Sequence, residues 1–220
     1  MGAKKLVSAN IDHHPREFRI SASNVSTNRL ARMPTLYALK PRFQALLRPI
    51  VARLAATGVT ANQVTLAAGV ASVILGAALA IEHRGWIALP IFLFVRMALN
   101  AIDGMLAREH GQQSKLGAVL NELMDVVSDA ALTLPFATLP GWNPLLVAAA
   151  ILFAALTEVA GMGAIRRYDG PFGKSDRALA LGILGAWLAC GWPVSPLVRR
   201  MAPIAWIALC CITILKRRVG

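Results

Sequence analysis

Charge is scarce in this 220-residue chain: 15% of its residues are Asp, Glu, Lys or Arg, where a water-soluble domain carries about a quarter. Acid is scarcer still, with 11 carboxylates against 23 Lys and Arg. With 56% apolar residues and a mean hydropathy of +0.57, the composition excludes a disordered chain and argues against an ordinary cytosolic enzyme. Cysteine is nearly absent. Cys190, Cys210 and Cys211 lie in apolar stretches without metal-like spacing, so neither a disulfide framework nor a zinc site is supported. The first 32 residues lack any apolar segment, which excludes a cleavable signal peptide there and reads as a polar, flexible extension.

What is present begins at Met33. Leu36, Leu39, Phe43, Leu46, Leu47 and Ile50 recur at helical spacing among Lys40, Arg42, Arg48 and Arg53, the pattern of a basic amphipathic helix lying on a membrane surface. Six apolar stretches follow, judged against the about 20 residues that cross a bilayer: 64–81, 87–107, 116–139, 144–165, 178–192 and 201–215. The expected architecture is therefore all-α and polytopic, with 33–220 as one transmembrane domain. Basic residues set its direction. With the N-terminus inside, 19 of the 23 Lys and Arg fall on the cytoplasmic face and three, Arg84, Arg199 and Arg200, on the other. The +12 net charge thus reads as topology rather than nucleic-acid binding, with both termini cytoplasmic.

Charged groups inside spans are costly and normally face a bundle interior or a water-filled cavity. On the second span, Arg96, Asn100, Asp103, Gly104 and Ala107 fall within about 100° of arc. On the third, Gly117, Asn121, Glu122, Asp125, Ser128 and Asp129 fall within about 140°. Two facing stripes of oxygen ligands make a hard-cation site suited to Mg²⁺ or Mn²⁺, with small residues beside them leaving room for a bulky ligand.

At these residues the chain resembles the CDP-alcohol phosphatidyltransferase family. Its signature, D-x2-D-G-x2-A-R-x8-G-x3-D-x3-D, is matched in every spacing by Asn100, Asp103, Gly104, Ala107, Arg108, Gly117, Asn121 and Asp125, and in identity at six of these eight positions. The Thr60-Ala61-Asn62 entry to the first span adds to the resemblance, which extends from about Met33 to the end and is nearest to small bacterial inner-membrane members. It implies transfer of a phosphatidyl or phospho-alcohol group from CDP-diacylglycerol or another CDP-alcohol to an alcohol acceptor, with release of CMP, by a homodimer in phospholipid synthesis. By the same resemblance, Asn100, Asp103, Asn121 and Asp125 are the metal positions, and Asp125 is also the proton acceptor. Asn62, Thr65, Gly104, Ala107, Arg108, Ser114 and Gly117 hold the CDP moiety. Lys174 and Arg177, in the cluster 166–177, are candidates for an acceptor phosphate, or else topology signals binding lipid headgroups.

Asn100 and Asn121 depart from the family pattern, which has Asp at both. Glu122 and Asp129, one helical turn on either side of Asp125, are the candidate substitutes in a metal site shifted along the third span. Two alternatives stay open at this stage: a degenerate member that binds CDP-lipid without turnover, and an ion or proton translocator. The absence of an inverted repeat weighs against the translocator. Arg96 reads as a structural ion-pair partner of Asp129 or Glu158. Ala68, Ser72, Gly76 and Ala80 read as a helix-packing surface, and His83 and His110 as solvated.

Overall fold

The computed structural model describes residues 36–161 and 170–219, with side chains from Pro41 onward. The expected extension 1–32 and the first part of the 166–177 cluster lie outside these. The chain divides after Lys40, and the second unit runs from Pro41 onward.

Described residues form helices only: α1 (Leu36–Ala56), α2 (Ala61–Glu82), α3 (Ala88–Glu109), α4 (Lys115–Thr133), α5 (Pro135–Thr138), α6 (Pro144–Gly161), α7 (Lys174–Ala189) and α8 (Pro196–Val219). Polar side chains start α2, α4 and α6. Thr60 and Gln63 close a reciprocal capping box on α2 at 3.2 and 2.9 Å. Ser114 Oγ accepts from the Gly117 amide on α4 (2.9 Å), and Asn143 Oδ1 from Leu145 on α6 (2.9 Å). The stretch expected as one span, 116–139, is interrupted. Pro135 lacks the amide that would continue the ladder, so α4 ends at Thr133 and α5 is a separate turn.

Among the described residues four helices, α2, α3, α6 and α8, are long and apolar enough to cross a membrane. Of the six expected spans, α4 carries Lys115, Glu122, Asp125 and Asp129, and α7 has 16 residues, so neither qualifies by length and composition alone. Burial is inverted relative to a soluble protein. Ile74, Ile81, Ile91, Leu145, Leu152 and Leu179 face outward, whereas Arg96, Asp103, Asp125, Asp129, Glu158, Arg177 and Arg217 are buried. An apolar solvent rewards that arrangement and water penalises it.

α2 packs on α3 and α4, α3 on α7, and α6 on α4 and α8. The α2–α4 seam is close because its residues are small. Ser72 and Ala68 are buried there, and a Cβ on Gly76 would collide with the Ala131 carbonyl oxygen. The expected packing surface is thus found on α2. Because backbone cannot yield as a side chain can, Gly76→Ala should cost about 1–3 kcal/mol. Gly182→Ala, whose nearest neighbour would be Leu93 at an ordinary 3.7 Å, should be close to neutral. Thermal unfolding in detergent of the two variants checks the contrast.

One end of the bundle is tied by backbone-directed bonds. Arg199, which broke the charge asymmetry of the sequence, donates to the Val194 carbonyl (2.9 Å) and to the Pro140 carbonyl (3.1 Å), joining two turns. Trp86, Phe136 and Trp142 meet nearby at tilted angles, with centroids 5.1 and 5.4 Å apart, and Trp187 packs edge-on to Trp192 at 4.9 Å. Such aromatic residues suit a membrane–water boundary. The polar residues gather at the other end.

Candidate active site

Three helix ends build the first wall. Gln112, in the α3–α4 connection, accepts from the Ala61 amide (2.6 Å) and donates to the Val59 carbonyl (3.4 Å), so the connection is fastened to the start of α2. That brings Thr65 on α2 against Asp103 on α3, with Oγ1 2.8 Å from Oδ2. Sequence reasoning missed Gln112, because nothing local marks a glutamine that caps a helix 51 residues away.

α3 and α4 then cross-link in a reciprocal pattern. Asn121 on α4 donates to Asp103 on α3 (3.2 Å), and Asn100 on α3 donates to Asp125 on α4 (3.4 Å). Each carboxylate therefore faces an amide of the opposite helix. Space is made by glycine: a Cβ on Gly117 would lie 2.7 Å from Asn62 Oδ1 and 2.9 Å from Ser114 Oγ, and one on Gly104 would press on the Arg108 guanidinium.

These residues enclose a cavity of about 710 Å³, lined by Asn62, Thr65, Asn100, Asp103, Gly104, Ala107, Arg108, Ser114, Gly117 and Asn121, together with Gln112 and Lys115. The seven candidate CDP residues and three of the four candidate metal positions are thus brought to one place. Asp125, the fourth, lines a second cavity of about 340 Å³ with Glu122, Glu158, Lys174 and Arg217, and Asn121 belongs to both. A third space of about 580 Å³ lies between α3 and α7. It is apolar, formed by Leu93, Phe94, Met97, Leu179 and Ile183, and reaches the other two through Asn100 and Lys174.

Below Asp125 the charges neutralise one another. Arg96 donates to Asp129 Oδ1 (2.7 Å) and to Asp125 Oδ1 (3.3 Å). Arg177 binds Asp129 Oδ2 (2.9 Å), Glu158 Oε1 (2.6 Å) and Thr157 Oγ1 (2.9 Å), and Arg217 donates to the Thr157 carbonyl. Arg96 is thus an ion-pair partner as read from the sequence, pairing most closely with Asp129 and also with Asp125 rather than with Glu158.

Two site assignments are corrected here. Asp129 is not positioned as a substitute metal ligand, because both of its oxygens are taken by arginines. Arg177 is not an acceptor clamp at the cavity mouth: its side chain is 1% exposed and its guanidinium is engaged by Asp129, Glu158 and Thr157. Among the described residues no three His, Cys, Asp or Glu side chains gather as a metal-binding group, so neither Glu122 nor Asp129 completes a three-carboxylate set with Asp103 and Asp125. The donor set that exists is two carboxylates and two amides. It fits a hard cation of the Mg²⁺ type, which keeps waters and takes further ligands from substrate phosphate. Glu158 was legible as the one carboxylate in its apolar stretch, but Arg217 carried no signal beyond a basic tail.

A helical membrane bundle with a polar, glycine-lined cavity at one end is the class that fold and site define. A sequence model for CDP-alcohol phosphatidyltransferase matches residues 58–215. The chain belongs to that family, whose members act in phospholipid synthesis. It is 51% identical to the inner membrane protein YnbA of Escherichia coli over 162 residues, 70% of this chain and 81% of that one. It is 29% identical to the phosphatidylinositol phosphate synthase of Mycolicibacterium smegmatis, covering 85% and 88% of the two chains. In fold it resembles the phosphatidylinositol phosphate synthase PgsA1 of Mycobacterium tuberculosis, at a TM-score of 0.65 and 20% identity over 77% of this chain and 89% of that one, in a crystal structure with CDP-DAG bound. A second crystal structure of that enzyme, with manganese and citrate, superposes at a TM-score of 0.64, over 77% and 85% of the chains.

Proposed function

We propose that this chain transfers a phosphatidyl or phospho-alcohol group from a CDP-linked donor to an alcohol, releasing CMP. The observation that carries the reading is the meeting of three spaces at Asn100, Asn121 and Lys174: a polar cavity of nucleotide size, a smaller polar cavity and an apolar groove. The first takes the CDP moiety, with Arg108 and Lys115 at its rim for the diphosphate and Gly117 allowing close approach. The second takes the acceptor. The groove takes acyl chains, which makes CDP-diacylglycerol the favoured donor.

Asp125 borders the acceptor cavity and accepts the hydroxyl proton as the alcohol attacks the phosphorus of the donor. Asp103, with Asn100 and Asn121 beside it, would hold Mg²⁺ or Mn²⁺. That cation would neutralise the diphosphate and the charge developing on the leaving CMP. Lys174 lines both the acceptor cavity and the groove, so it is the described cation placed to meet an acceptor phosphate or the donor. Site position and basic residues together support a chain in the bacterial inner membrane with both termini and the site on the cytoplasmic side, and the family supports a homodimer.

Purified protein is incubated with CDP-diacylglycerol, Mn²⁺ and a panel of alcohols (glycerol phosphate, inositol phosphate, serine and free polyols), and CMP is measured. Release with at least one acceptor, well above an Asp125→Asn control, supports the transferase. No release with any acceptor overturns it for this donor and leaves the binding-only alternative.

A further inference from the structure

Two carboxylates are few for the charge this site must manage, and one of them is already matched. The Lys174 ammonium ion-pairs with Asp125 Oδ2, while Oδ1 of the same carboxylate takes Arg96 and Asn100. Asp103 is different: its bonds from Thr65 and Asn121 both fall on Oδ2, and among the described residues no cationic side chain forms an ion pair with it. Asp129 and Glu158, below Asp125, are satisfied by Arg96 and Arg177, and Glu122, which lines the acceptor cavity, does not gather with Asp103 and Asp125 as a metal-binding group. From the geometry we infer that the site works with a single divalent cation on the Asp103 side, and that the Lys174 ammonium is a resident second positive centre on Asp125.

This deepens the transferase reading and rests on it. Charge decides the number. Asp103 and Asp125 supply two negative charges, one divalent cation cancels both, and Lys174 already adds one positive charge. A second divalent ion would have to displace the ammonium from Asp125 or crowd a positive set within a few ångströms in a partly dehydrated pocket, where like charges repel strongly. Asparagine at 100 and 121 keeps oxygen donors but removes the charge that a second ion would need.

Lys174 is well placed for the role because its backbone is fixed while its side chain stays partly open to solvent. It is the first residue of α7, and the turn before it is held by the Gly173 amide donating to Asp176 Oδ2 at 2.8 Å. Its side chain is 32% exposed, so the ammonium reaches both Asp125 and the space where the donor phosphate meets the acceptor. When the donor arrives, the ammonium passes from Asp125 Oδ2 to a phosphate oxygen. That charges the donor side and uncovers the carboxylate oxygen for the incoming hydroxyl.

Manganese counting by electron paramagnetic resonance of free Mn²⁺, on detergent-purified protein without donor, tests this directly. The wild type should bind one Mn²⁺ per chain, and Asp103→Asn none. Lys174→Met, which uncovers Asp125, should bind manganese about tenfold more tightly or take up a second ion. Lys174→Arg, which keeps the charge, should retain one ion at wild-type affinity and guards against a misfolded Met variant. Two Mn²⁺ per wild-type chain, none at all, a second ion in Lys174→Arg, or unchanged or weaker binding in Lys174→Met each overturn the inference. CMP release from the same preparations keeps the two ideas apart. Two ions with turnover sinks the single-cation site and leaves the transferase; one ion without turnover does the reverse.

Discussion

Asp125→Asn should lower CMP release by about two to four orders of magnitude, the range lost with a positioned acid or base, while the folded protein survives. The substitution keeps the shape and removes one negative charge. Arg96 still has Asp129 at 2.7 Å, and Lys174 is exposed enough to reach water, so neither cation is stranded. Stability and activity thus separate at this residue. Activity is read by CMP release and stability by tryptophan fluorescence on heating in detergent. A variant that keeps its thermal midpoint and retains near wild-type turnover would remove Asp125 from the chemistry.

Asp129→Ala should do the opposite. Its carboxylate lies between the Arg96 and Arg177 side chains, 4% and 1% exposed, and one oxygen serves each. Removing it leaves two buried guanidinium groups under-compensated, a loss of about 3–5 kcal/mol when one partner of a buried pair is deleted. Typical domains have only about 5–15 kcal/mol in total. The variant should therefore unfold early or fail to accumulate, and Asp129→Asn, which retains a hydrogen-bonding oxygen, should fall between. A shifted metal site gives a different signature: Asp129→Ala would then keep its thermal midpoint and lose manganese affinity.

These two adjacent carboxylates show where sequence and structure part. Both sit on one face of α4, one turn apart, and helical geometry alone makes them equivalent ligand candidates. What distinguishes them comes from other helices: Asn100 and Lys174 approach Asp125, whereas Arg177 reaches past to Asp129. That partition depends on where α7, packed on α3, brings its first turn against α4. No local pattern encodes it: Lys174 and Arg177, three residues apart on one helix, are equivalent phosphate candidates in the sequence, yet Arg177 alone is fully buried.

Local patterns served better where the determinant was local. The apolar runs, the Thr60 entry and the 100–125 spacing foretold α2, α3 and the residues that line the nucleotide-sized cavity, since all of these follow from periodicity and from small residues placed where backbone must come close. The break at Pro135 was readable in principle, because proline ends a helix ladder, but the apolar run across it masked the signal. Gln112 and Arg217 act over long sequence distances, on Ala61 and Thr157, and only the assembled bundle brings those partners together. The same bundle bears on the translocator alternative. Among the described residues, Leu89, Leu132, Phe136 and Leu181 form an apolar cluster in the interior, which weighs against a polar path there.

The most direct test of the central claim is to follow both products of one reaction. Purified protein is given CDP-diacylglycerol, Mn²⁺ and the acceptor that supports CMP release, and the lipid fraction is weighed by mass spectrometry against CMP. The account predicts one new phospholipid carrying the acceptor for each CMP released, and neither product from Asp125→Asn. CMP accompanied only by phosphatidic acid, with water taking the acceptor's place, or no CMP at all, would contradict it.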